Sequence, residues 1–62
     1  MTTLYDDLVI VIDAANRDLE DGSMTQAQYN AKKKSTIKKM DLFLKRKRIS
    51  QEQYDELIAK FK

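Results

Sequence analysis

The phrase Met24-Thr25-Gln26-Ala27-Gln28-Tyr29 returns 25 residues later as Ile49-Ser50-Gln51-Glu52-Gln53-Tyr54. Each copy is a helix start. The Thr or Ser accepts a hydrogen bond from the backbone N–H three residues on, and the Gln at that third position reaches back to the cap, the reciprocal arrangement of a capping box. The apolar residue before each cap, Met24 or Ile49, is placed to staple onto the Tyr four positions after the cap, Tyr29 or Tyr54. Two such starts in 62 residues leave room for three helices and little else.

The first helix begins after Thr2 or Thr3, with Asp6 and Asp7 in its first turn complementing the positive end of the helix dipole. Gly22, the one glycine, marks its end, where a left-handed residue closes many helices. Between these limits Leu4, Tyr5, Leu8, Val9, Ile12, Ala15 and Leu19 form one stripe at helical spacing. Val9 to Ile12 are consecutive β-branched residues with a local preference for strand. The longer helical period and the cap outweigh that preference, because a lone strand has no pairing partner.

The second helix carries Tyr29, Ile37, Met40, Phe43 and Leu44 on one side, together with Lys33 and Thr36. Lys33 can lay its stem along the core and keep its ammonium in water. The third carries Tyr54, Leu57, Ile58 and Phe61 at i, i+3, i+4 and i+7. The expected helices are residues 4–21, 26–46 and 51–61. Their apolar stripes must meet, and the short links favour antiparallel neighbours. The expected fold is all-α, a small three-helix bundle forming a single helical domain over residues 1–62.

Composition narrows the function. Without Cys or His the chain has no disulfide or thiolate metal site, and it lacks both the commonest general base and the commonest metal ligand. Nucleophilic catalysis needs an activating base, so no enzyme, catalytic residue or cofactor is expected. Pairs such as Asp6 with Asp13 or Asp18 with Asp21 lack the spacing of a calcium loop, and no metal site is expected. The longest apolar run, Leu8 to Ile12, is flanked by aspartates and far short of the ~20 residues that span a bilayer. A soluble, cytoplasmic protein with no membrane partner is expected.

The net charge of +2 conceals a segregation. Residues 1–30 set six carboxylates against Arg17 alone, a net of −5. Residues 31–49 set nine Lys or Arg against Asp41, a net of +8, and residues 50–62 come to −1. Taking 100° per residue, Lys34, Lys38 and Lys45 fall on the side of the second helix away from the core, Lys32, Lys39 and Arg46 form a second flank, and Leu42 lies between the two rows. The run Lys45-Arg46-Lys47-Arg48 closes that helix, where cations also suit the negative end of its dipole. An apolar residue ringed by cations has the form of a small docking epitope. Lys34, Lys38, Leu42, Lys45, Arg46, Lys47 and Arg48 are the candidate interaction residues.

Leu-x-x-Gly-x-Met-Thr-x-x-x-Tyr at Leu19–Tyr29, with its counterpart Leu-x-x-x-x-Ile-Ser-x-x-x-Tyr at Leu44–Tyr54, resembles the short helical module called SHOCT and is similar to a phrase in small phage proteins of the XkdX kind. The second copy departs from the pattern, with Lys47 in the place of Gly22. The resemblance implies a small, helical, non-enzymatic interaction or oligomerisation piece of a phage or bacterial protein, and it carries over no catalytic residue.

Three functional expectations follow. The first is a non-catalytic protein-interaction module that docks on a larger host protein or nucleoprotein and inhibits, adapts or redirects it. The second is nucleic-acid binding through the basic second helix and residues 45–48, with Gln26, Gln28, Asn30 and Lys32 as the readers in a helix-turn-helix version. Against that version, Asp18, Glu20 and Asp21 precede the helix and would face phosphate. The third is a self-associating assembly unit, a homodimer formed either through charge or through exposed apolar residues.

Overall fold

A computed structural model describes residues 3–62 as three helices, α1 (Leu4–Asp21), α2 (Gln26–Lys45) and α3 (Gln51–Lys60), packed as a small all-α bundle. Every helix opens with a capping box. The Thr25 hydroxyl accepts from Gln28 N at 3.1 Å while Gln28 Oε1 accepts from Thr25 N at 2.9 Å. Ser50 and Gln53 repeat this at 3.1 and 3.0 Å. Thr3 and Asp6 make a third box, at 3.1 and 3.2 Å. The signal for it was the Thr3-x-x-Asp6 spacing, with Asp serving where the other boxes have Gln.

The two helix ends explain why the chain turns where it does. Gly22 is left-handed at φ 84°, and Met24 N beyond it returns to Asp18 O at 3.1 Å. Lys47, at the equivalent position of the second turn, is also left-handed, at φ 59°. There Lys47 N donates to Leu44 O at 3.0 Å and Arg48 N to Phe43 O at 2.8 Å, which satisfies two orphan carbonyls in a Schellman pattern. The departure from glycine thus leaves the turn intact and places a side chain in a strained backbone region. Helix α2 accordingly stops at Lys45 with Arg46 as its cap, one residue short of expectation.

Leu8 and Ile12 of α1, Met40 of α2, Ile49 of the second turn and Leu57 of α3 form the central cluster. Ile12, Met40 and Leu57 are fully buried, each contributing about 1.5–3 kcal/mol through removal from water. Ile12 is the residue that settles the β-branched run in favour of helix. It points inward from α1 beside Leu8 and Ala15, a spacing that only a helical period can bring to one side.

Polar links fix α3 to the α1–α2 hairpin. Tyr5 Oη donates to Glu56 at 2.9 Å near one end. At the other, Asn16 Nδ2 donates to Lys60 O at 2.8 Å, and the buried Tyr29 hydroxyl accepts from Lys62 N at 2.9 Å. Phe61 leaves the helix in an extended conformation and meets Tyr29 edge to face, with ring centroids 6.4 Å apart. Lys33 Nζ lies 5.5 Å from the centroid of Phe61, so its head sits over an aromatic ring. Glu20 and Lys62 close this end with an ion pair.

Candidate interaction surface

The outer side of α2 carries the expected residues. Neighbours on a helix surface lie three and four positions apart. For Leu42 those neighbours are Lys38, Lys39, Lys45 and Arg46, all exposed. Leu42 itself is 44% exposed, a large apolar side chain that the fold leaves uncovered. Lys34 extends the same side toward the start of the helix, and it is exposed too. Lys47 and Arg48 are exposed but lie in the turn beyond the helix, so they belong to the end of the bundle rather than to the ring around Leu42.

These cations have no counter-ion among the described residues. Among the described residues the only ion pair joins Lys62 to Glu20. Asp41, the single carboxylate in residues 31–49, is turned aside and accepts the Tyr54 hydroxyl at 2.5 Å. The helix dipole gives Lys45, Arg46 and Lys47 a structural role, since its effect falls off within the last turn. Lys38 and Lys34 lie two and three turns upstream and are outside that reach.

Two carboxylates elsewhere are committed to backbone. Asp6 closes the first capping box, and Asp21 accepts from Ser23 N at 2.9 Å; the Ser23 side chain and then this backbone bond hold its carboxyl below the usual range. Among the described residues no group of three His, Cys, Asp or Glu side chains converges as a metal site would require. The start of α2 is similarly occupied. Gln28 serves the Thr25 cap, and Gln26 Nε2 donates to Asn30 Oδ1 at 2.9 Å, so those side chains are engaged with one another rather than presented as base readers. No helix among the described residues is long and apolar enough to cross a membrane.

Sequence reasoning missed two things here. Asn16 and Asp41, the tyrosine acceptors, lie 25 residues apart like the phrase itself, and extending the repeat backward would have found them. The groove between α1 and α2 described below depends on where α3 packs, which no local pattern encodes.

Scans against protein-family models, curated proteins and solved structures find no match to this chain.

Proposed function

We propose that this chain is a non-catalytic protein-interaction module. It docks through the outer side of α2, with Leu42 as the apolar anchor and Lys34, Lys38, Lys45 and Arg46 as a basic rim that Lys47 and Arg48 extend at the helix end. The observation that carries this reading is that an exposed Leu42 has cations at all four of its helix-surface neighbours, with no carboxylate among the described residues paired to them.

The physical case is one of complementarity. An acidic partner surface draws in the basic rim and speeds encounter, while a pocket that takes Leu42 supplies contact that charge alone does not. The resemblance of Leu19–Tyr29 and Leu44–Tyr54 to short phage and bacterial interaction modules supports the same class, a small accessory protein that modulates a larger protein or nucleoprotein in the cytoplasm.

Nucleic acid is the second reading, favoured by the same unpaired cations. It would be contact with phosphate rather than sequence recognition, because Gln26, Gln28 and Asn30 are engaged in intrachain bonds. Capture of partners by the tagged chain, with and without nuclease, separates the two. A stoichiometric protein that survives nuclease supports docking on protein, whereas partners lost to nuclease, with affinity falling steeply as salt rises, support phosphate contact.

A further inference from the structure

Helix α3 covers one side of the α1–α2 hairpin and leaves the other side open. With Leu8 at the origin of α1, Tyr5 and Asn16, which bond to α3, lie at about +60 to +80°, and Leu4, Asp7 and Val11 lie at about −40 to −100°. On α2, with Tyr29 at the origin, Asp41 reaches α3 and Lys33 reaches Phe61 just beyond it, at about +40 to +120°, and Phe43, Lys32 and Lys39 lie at about −40 to −80°. The negative sides meet in a groove of about 290 Å³ floored by Leu4, Leu8, Val11 and Phe43. Asp7 stands on its α1 rim, with Lys32 and Lys39 on its α2 rim.

We propose that a second copy of this chain covers this groove, related by a two-fold axis running along the hairpin. Charge complementarity selects this occupant. A partner of one sign would be repelled by one rim, whereas the groove itself offers an acidic rim, a basic rim and an apolar floor in the matching order. Rotation about an axis parallel to the helices lays α1 of each copy against α2 of the other and preserves height along the helix. Counting about 14 residues back from Asp21 and forward from Gln26 brings Asp7 level with Met40, one residue from Lys39. The rotation therefore sets Asp7 beside Lys39 of the other copy, twice by symmetry. By the same count Phe43 comes level with Leu4 across the interface.

Asp7 and Lys39 are exposed and have no ion-pair partner among the described residues, and Val11 is 36% exposed. The dimer closes a four-helix layer from two hairpins; it takes Lys39 from the ring around Leu42 but leaves Leu42 itself on the outside. Association is expected in the micromolar range.

Sedimentation equilibrium at low salt tests it with wild type, Val11→Lys, Asp7→Lys, Lys39→Glu and the doubly exchanged Asp7→Lys/Lys39→Glu chain. Wild type is expected to dimerise and Val11→Lys to be monomeric. Each single charge reversal is expected to weaken the dimer about tenfold, since two symmetric pairs become repulsive, and the double exchange to restore it. Leu42→Asp leaves the dimer unchanged. A wild type that stays monomeric at about 1 mM, above any such dissociation constant, overturns the proposal. A dimer indifferent to Val11→Lys, or a double exchange as weak as the single reversals, does so as well. Circular dichroism confirms that each variant retains its helices, and the charge exchange decides the matter even where Val11→Lys loses fold.

Discussion

The Tyr54 hydroxyl donates to the Asp41 carboxylate at 2.5 Å, as the Tyr29 hydroxyl donates to Asn16 Oδ1 at 2.5 Å, each across 13 residues. Both bonds join the fourth residue after a helix cap to the preceding helix, so the 25-residue repeat is a repeat of packing as well as of capping. The copies differ in burial. Tyr29 is 1% exposed and its hydroxyl also accepts from Lys62 N, whereas the Tyr54–Asp41 pair faces water.

That difference sets the cost of losing each hydroxyl. Tyr29→Phe leaves partly buried groups of Asn16 and Lys62 without a partner and is expected to cost about 1–2 kcal/mol. Tyr54→Phe, in an exposed pair, is expected to cost less than about 1 kcal/mol. Urea midpoints at neutral pH, measured side by side, give the ranking.

Alkaline pH acts through two tyrosines. The bond to Asp41 raises the pKa of Tyr54 above its ordinary 10.0, and the bond to Glu56 does the same for Tyr5. The folded chain holds these phenolic protons more tightly than the unfolded chain, so the contribution is fully present below 10.0 and lost as pH rises through the raised values. Melting temperature followed from neutral pH upward is expected to fall in that range, and less so in Tyr5→Phe/Tyr54→Phe. Asp21, held low by its bonds from Ser23, contributes with the opposite sign, present above its ordinary 3.8 and lost as pH falls.

The two left-handed positions make a reciprocal pair of predictions. A Cβ at Gly22 would meet nothing within 4 Å, so Gly22→Ala is destabilising through backbone conformation alone, by about 1 kcal/mol. Lys47→Gly relieves the same strain and is expected to stabilise by about 0.5–1 kcal/mol, less whatever freedom the glycine adds to the unfolded chain. Thermal melts of both variants against wild type provide the check.

Much of the fold was legible because its signals are local. Thr25, Ser50 and Gly22 mark helix ends through their own hydrogen bonds and backbone freedom, and the three apolar stripes need only helical spacing. Ile12 shows where a local preference yields, since full burial outweighs the strand tendency of a β-branched run. The Lys47 turn was less legible, because a Schellman closure is made by backbone bonds that lysine does not advertise. On the outer side of α2, the exposure of Leu42 and its cations followed from helical geometry. The open groove did not, because it is defined by the side that α3 leaves uncovered.

Core and surface leucines are expected to separate cleanly. Leu57→Ala removes a fully buried side chain and costs about 2–5 kcal/mol, enough to unfold much of a 62-residue chain with a thin core. Leu42→Ala removes a side chain that is 44% exposed and outside the central cluster, and is expected to change stability by less than about 0.5 kcal/mol. Circular dichroism melts distinguish them.

The central claim is that the Leu42 face docks on a protein, and its most direct measurement is nuclease-treated capture with wild-type and Leu42→Asp chains of matched helicity. Wild type is expected to retain a stoichiometric protein, and Leu42→Asp to lose it with its fold intact. Equal retention by both chains would contradict that docking surface.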